Sequence, residues 1–255
     1  MVWTLIYELL NCGYDLRALL SRFQEPHWAL REFLMGRAAP HLYFVVIILQ
    51  FYFLYPLLRK WMDRVPVGCL ALSFASTLLL QGLYYLQALG LFPAAAVSPF
   101  WLTFPFWIFY FAAGMYLQKI SPEKLNGACR KHGIVLVLAT ALFACLYSLS
   151  AARTGFLDSI NPALMIYTVL VFLSGIAIWS FLKGLPLLEQ VVAFLSAHSM
   201  GIYYNHVLIL CFFRAFPRLL NGLSGMLLLF LATTFVSILV AFLLKQLKKL
   251  THAKF

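Results

Sequence analysis

Charged side chains are scarce in this chain. Only 11% of its 255 residues are Asp, Glu, Lys or Arg, whereas a typical soluble domain contains roughly 25%. Apolar residues make up 64% of the chain, and the mean hydropathy is +0.90. This balance excludes an ordinary soluble domain and indicates that the chain folds in a membrane.

The signatures of several catalytic and metal-binding classes are absent as well. The five cysteines form no C-x-x-C pair and have no histidines at ligand spacing, so we predict neither a disulfide framework nor a metal site. The sequence has no phosphate-binding glycine loop, no G-x-S-x-G elbow and no strong internal repeat. We therefore expect no bound cofactor and none of the usual soluble catalytic machinery.

Long apolar runs dominate what remains. Each has about 18 residues or more, enough at 1.5 Å per residue to match a hydrocarbon core of ~30 Å. Apart from Arg59, the last residue of the first run, none contains Asp, Glu, Lys or Arg. We therefore predict an all-α polytopic integral membrane helical bundle, formed as a single domain over residues 1–255, with seven full spans and a partial one over residues 2–10. The seven runs are 41–59, 66–87, 100–118, 132–151, 164–182, 192–213 and 223–244.

Lysine and arginine are unevenly distributed among the connections between these runs. Several cations follow the first run, lie between the third and fourth runs and form the C-terminal tail, and Lys183 follows the fifth run, whereas the loop at 88–99 carries no charge and the loops after the fourth and sixth runs carry one and two cations. The segment 12–40, with four arginines and three acids, falls on the other side by this count and suits an amphipathic helix at the interface. The positive-inside bias predicts that the cation-rich side, with the C-terminus, is cytoplasmic. The net charge of +11 also favours attraction to anionic membrane lipid, and nucleic acid is not an expected partner.

Polar side chains interrupt the sixth run. The segment from Ser199 to His206 places hydroxyl, amide and imidazole groups in apolar surroundings, and such groups are functional-site candidates by default. On a helix, Ser199, Tyr203 and His206 fall within roughly 60° of one another and form one polar stripe. Asn205 projects about 100° away from His206, so it could instead serve a neighbouring helix.

Three segments resemble the membrane acyltransferase-3 family. The run that begins at His41-Leu42-Tyr43-Phe44 and continues to Pro56 resembles the H-L-W-F start and proline-containing end of that family's fourth helix. The segment Ser199 to His206 resembles its S-x-G-I-Y-L-x-H segment, and the segment 106–114 resembles its y-F-x-x-G span. The similarity covers the chain from Trp3 onward.

The resemblance implies a function and a missing segment. It implies that an acyl group, often acetyl, is transferred from cytoplasmic acyl-CoA to a hydroxyl of a surface or exported carbohydrate, at a bacterial inner membrane. The family's pattern has about ten helices, and its first helix carries an arginine and a histidine central to catalysis. No segment of this chain matches that helix. We therefore expect an N-terminally incomplete domain, deficient in catalysis by itself.

Two histidines are the candidates for proton transfer. His206 belongs to the polar stripe, His41 opens the first run, and the predicted topology places both in the outer half of the membrane. A histidine can accept a hydroxyl proton at neutral pH because its reference pKa is near 6.5. Ser199, Tyr203 and Asn205 are the candidates for binding the sugar hydroxyls or polarising the acyl carbonyl. The structural alternative is that either imidazole is an interhelical hydrogen-bond donor.

Two functions from other classes remain as alternatives. One is a transporter or flippase for a lipid-linked sugar, although the lack of charged side chains within the spans disfavours coupling to ions. The other is a non-catalytic scaffold subunit in a complex that handles envelope polymers. The oligomeric state, the acceptor sugar and the length of the acyl chain are not predicted.

Overall fold

Helices form all the regular structure in the part of the chain that the structure describes. A computed structural model describes residues 2–25, 27–28, 32, 35–36, 38–39, 41–93, 100–154, 160–214 and 222–252. We number its α-helices in chain order. They are α1 (Val2–Asn11), α2 (Leu16–Phe23), α3 (Tyr43–Arg64), α4 (Pro66–Ala88), α5 (Ile108–Leu117), α6 (Pro122–Lys131), α7 (Gly133–Thr154), α8 (Ala163–Leu182), α9 (Pro186–Arg214) and α10 (Gly222–His252).

The chain divides into two compact units. The first contains residues 1–45 and 184–255, and therefore α1, α2, the start of α3, α9 and α10. The second contains residues 46–183, from the remainder of α3 to the end of α8. The single domain predicted over 1–255 stays a prediction.

Five helices in the described residues are long and apolar enough to cross a membrane. The prediction of an all-α integral membrane protein is therefore confirmed, but its count of seven full spans is not. Helix α1 has only 10 residues, about 15 Å at 1.5 Å per residue, and the partial span over residues 2–10 stays a prediction. The five spanning segments are Tyr43–Arg64, Pro66–Ala88, Gly133–Ala152, Ala163–Leu182 and Ser224–Leu247.

The predicted span 100–118 is not one continuous helix. A 3₁₀ turn over Phe104–Phe106 precedes the ten-residue helix α5. Pro105 lies in this turn, and a proline disfavours a helix interior because it lacks a backbone N–H, although Pro56 is accommodated inside α3. The length of an apolar run does not distinguish these two cases.

Side chains from α3 and α4 satisfy the backbone of this irregular segment. The amide of Gln50 donates to the Leu102 carbonyl and accepts from the Phe104 N–H, both at 2.8 Å. Thr77 and Gln81 on α4 donate to the carbonyls of Pro105 and Phe106. Non-helical backbone at membrane depth requires such partners, so these polar residues of the second unit hold the segment in place.

The predicted span 192–213 lies within α9, which is long enough to cross a membrane at 29 residues but is not among the five spanning helices. The physical reason is the polar stripe, because its hydroxyl, amide and imidazole groups lower the hydropathy of the middle of the helix. The residues that mark α9 as a functional candidate are therefore those that weaken its membrane signal.

In the first unit, α9 and α10 pack closely through small residues. A Cβ added at Gly201 would lie 2.8 Å from the Cβ of Ala241, so glycine is required for this approach. One turn further along, the Asn205 amide donates to the Ser237 carbonyl on α10 at 3.1 Å. Small residues and interhelical hydrogen bonds are the usual means of helix association in membranes, and here they position the stripe-bearing helix.

Candidate functional site

The polar stripe of α9 opens onto a groove between α9 and α10. Its volume is about 650 Å³, and it is widely open with an exposed lining that is almost entirely apolar. Ser199, Tyr203 and His206 all contribute to its wall, as the helical spacing predicted. The lining residues are Val192, Leu195, Ser196, Ser199, Ile202, Tyr203, His206, Thr234 and Ile238.

His206 presents one ring nitrogen as a base. Its Nδ1 lies 2.7 Å from the Tyr203 carbonyl oxygen and 3.2 Å from that of Ile202. A carbonyl oxygen can only accept, so Nδ1 carries the proton in the neutral ring and Nε2 keeps its lone pair. A half-buried imidazole in this tautomer can accept a proton from a hydroxyl placed in the groove.

His41 lies beside His206 although the two are far apart in sequence. Their ring centroids are 5.2 Å apart, and the centroid of the Tyr203 ring lies 5.5 Å from that of His41. His41 is buried. The Tyr204 backbone is close enough to interact with its imidazole, but neither ring nitrogen makes a hydrogen bond of ordinary geometry with the described residues.

The proximity of the two imidazoles restricts their charge. Two positive charges at this distance would repel each other, and burial away from water further disfavours a charged His41. A neutral His41 is therefore the favoured neighbour of His206.

Tyr203 on α9 contacts the residues at the start of α3. Its hydroxyl donates to the backbone carbonyl of His41, and its ring also contacts Phe44 and His206. The hydroxyl oxygen can still accept one hydrogen bond. Tyr203 thus has a structural role that the sequence did not predict, beside any role in binding a substrate.

A glycine allows a close backbone contact next to His41. Gly36 has a φ of +62°, and a Cβ there would lie 2.7 Å from the Leu42 carbonyl oxygen. Further support comes from α1, where the Asn11 amide donates to the Ala38 carbonyl at 3.1 Å. These local contacts bring His41 to α9.

The structure does not bring all the predicted site residues into the groove. Asn205 is fully buried and bonded to Ser237 on α10, so its geometry matches the alternative of serving a neighbouring helix. Ser199 is exposed on the groove, and its hydroxyl donates to the Ser196 carbonyl. The roles predicted for His41, His206, Ser199, Tyr203 and Asn205 remain predictions.

Tyr7 is a neighbour of the histidines that sequence reasoning missed. It is 2% exposed, its ring contacts that of His41 at 5.1 Å, and its hydroxyl bonds to the backbone of α9 on either side of His206. The only signal in the sequence was a tyrosine in a short apolar segment, which is ordinarily a packing or interfacial residue.

The described cysteines and acidic residues offer no metal centre. All five cysteines are free thiols, and no group of three or more His, Cys, Asp or Glu residues with a metal-binding arrangement occurs in the described ranges. The polar residues that line the groove are His206, Ser196, Ser199, Tyr203 and Thr234.

One comparison with known proteins gives a match. The profile of a family described as an acyltransferase domain matches residues 2–245. Neither a curated protein nor a solved structure matches the chain. The matched residues include α1, the whole groove between α9 and α10, and both histidines.

Proposed function

We propose that this chain, which belongs to the acyltransferase-3 family, transfers an acyl group from acyl-CoA to a hydroxyl of a surface or exported carbohydrate. The family match confirms the resemblance read from the sequence, and with the apolar helices it identifies a membrane acyltransferase domain. Two parts of this statement are proposals: the acyl-CoA donor, for which we favour acetyl-CoA, and the carbohydrate acceptor.

The observation that carries the proposal is the imidazole of His206, which lines the groove and lies 5.2 Å from the ring of the buried His41. The Nε2 atom of His206 keeps a lone pair because Nδ1 is held by backbone carbonyls. A base in this position is what transfer to an alcohol requires, because a neutral hydroxyl is a weak nucleophile until its proton is removed.

The reaction can be written with these groups. The acceptor hydroxyl oxygen attacks the thioester carbonyl carbon, its proton moves to Nε2 of His206, and the carbon–sulfur bond breaks. The thiolate of coenzyme A then takes that proton from His206. Tyr203 and Ser199, two residues on the wall of the same groove, would orient the acceptor.

A direct assay separates this function from the alternatives of a transporter and a scaffold. Membranes that contain the chain are supplied with labelled acetyl-CoA and a crude envelope glycan, and alkali-labile label on the glycan is measured. Because the sequence predicts a domain that is deficient in catalysis by itself, we expect weak incorporation that still exceeds that of membranes without the chain. No incorporation by correctly folded protein would contradict the proposal and favour a non-catalytic role.

We also propose that the protein lies in a bacterial inner membrane with its C-terminus in the cytoplasm. The support is the cation asymmetry of the sequence. In a cysteine-free variant, Leu91→Cys should react with a membrane-impermeant thiol reagent in spheroplasts, whereas Asn126→Cys should react only after lysis. The reverse pattern would contradict the orientation.

A further inference from the structure

We infer that Tyr7 is a positioning residue that fixes the orientation of both His41 and His206. The inference rests on the proposed function, because it assigns Tyr7 a part in the chemistry at His206. Tyr7 is not a member of the polar stripe and does not line the groove. It acts through the residues that surround the imidazoles.

The Tyr7 hydroxyl bridges two backbone groups of α9. It donates to the Tyr204 carbonyl at 2.9 Å and accepts from the Leu208 N–H at 3.0 Å. In an α-helix these two groups, four residues apart, are the ordinary partners of one hydrogen bond. A side chain that enters this ladder can alter the local course of a helix, and the turn between the two groups carries His206.

The Tyr7 ring meets the other histidine. Its centroid lies 5.1 Å from that of His41, with the planes at 75° to each other. This is the edge-to-face geometry that aromatic rings prefer. One side chain therefore contacts the His41 ring directly and fixes the backbone on both sides of His206.

The position of Tyr7 is itself determined by packing. It is 2% exposed, and it lies in a cluster with Ala38, Ala39 and Leu42. Trp3, one turn earlier on α1, stacks on Tyr204 with ring centroids 5.9 Å apart and planes at 12°. Because α1 makes these contacts at two successive turns, the hydroxyl is held where a flexible surface residue could not keep it.

The variant that tests the inference is Tyr7→Phe, which removes the hydroxyl and retains the ring contact with His41. Without the bridge, the turn from Tyr204 to Leu208 is free to adopt another spacing, and the bond from His206 Nδ1 to its carbonyl acceptors weakens. We expect kcat per folded protein to fall by about tenfold with KM nearly unchanged, because the change affects the orientation of a base rather than the groove. Tyr52→Phe, at an exposed position of α3, is the matched control.

A second readout does not depend on acyl transfer. Diethylpyrocarbonate acylates the free nitrogen of neutral imidazoles, and its rate at His206 can be followed by peptide mass spectrometry on the full chain in membranes. We expect this rate to fall by up to about tenfold in Tyr7→Phe, since the bond at Nδ1 sustains the basicity of Nε2. The rate at exposed His132 should be the same in both proteins.

The outcomes separate this inference from the proposed function. If the wild-type chain transfers no acyl group but Tyr7→Phe still slows modification of His206, the proposed function fails and the positioning role of Tyr7 stands. Unchanged kcat and unchanged modification of His206 in Tyr7→Phe would overturn the inference. A loss of folded protein with both rates intact would equally overturn it, because Tyr7 would then serve only stability.

Discussion

Both units contain polar side chains within apolar helices, but they use them differently. In the second unit, Gln50, Thr77 and Gln81 direct their donors at carbonyls of the irregular segment before α5. In the first unit, Nδ1 of His206 is bonded to backbone carbonyls of its own helix, which leaves Nε2 as the basic nitrogen, and the nitrogens of His41 lack ordinary hydrogen bonds to the described residues. The sequence pattern is similar in the two units, and only the partners distinguish structural from functional candidates.

The difference has an energetic reason. An unpaired polar group in an apolar environment costs free energy, so a polar residue that serves the fold should have its donors satisfied. Gln50 follows this rule with two bonds of 2.8 Å. His41 departs from it, as do the buried hydroxyls of Ser73 and Ser237. What singles out His41 is its contact with the ring of His206.

The largest expected effect concerns the functional candidate His206 in the first unit. His206→Ala should lower acyl transfer per folded protein by on the order of 10²-fold or more, because it removes the base. The abundance of the protein in the membrane should hardly change. The matched control is His132→Ala, at an exposed histidine of the second unit, which should retain full transfer. Loss of folded protein with specific transfer intact would instead make His206 a structural hydrogen-bonding residue.

The next largest effect concerns Gln50, a polar residue with a structural role in the second unit. Gln50→Leu leaves the Leu102 carbonyl and the Phe104 N–H without their partner, and we expect the free energy of unfolding to fall by about 1–3 kcal/mol. Transfer per folded protein should be unchanged. Thermal unfolding in detergent measures the loss, with exposed Gln118→Leu as the control. A stable Gln50→Leu protein with reduced specific transfer would show that polar residues of the second unit also serve the reaction.

The smallest expected effect distinguishes a structural residue from a functional one within the first unit. Asn205 lies on the same helix as His206 but is bonded to Ser237. Asn205→Ala should lower the free energy of unfolding by about 1 kcal/mol, as interhelical hydrogen bonds in membranes typically do, and should leave specific transfer unchanged. Full stability with impaired transfer would restore Asn205 as the substrate-binding residue that the sequence predicted.

Much of the candidate site followed from helical periodicity. Ser199, Tyr203 and His206 were expected on one face of a helix, and all three line one groove. The all-helical membrane architecture and the family were likewise predictable, because they depend on local patterns of apolar residues and on short segments.

The rest depends on contacts between residues distant in the chain. No periodicity in the sequence indicates that Tyr7 and His41 meet α9, because their contacts depend on the tertiary packing of α1 and of the segment around Gly36. The break before α5 is a different case. Pro105 lies in it, but Pro56 is accommodated inside α3, and the length of an apolar run does not distinguish these two cases.

The central claim is that His206 acts as the base of acyl transfer and that it depends on the neighbouring His41 ring, 5.2 Å away, to do so. The most direct test measures transfer of labelled acetyl per folded protein by His41→Gln, by His206→Ala and by the double variant. Each single variant should lose on the order of 10²-fold, and the double variant should lose no more than a few times that, because residues that act together are not additive. A double variant with the product of the two losses, or single variants with full transfer, would contradict the claim.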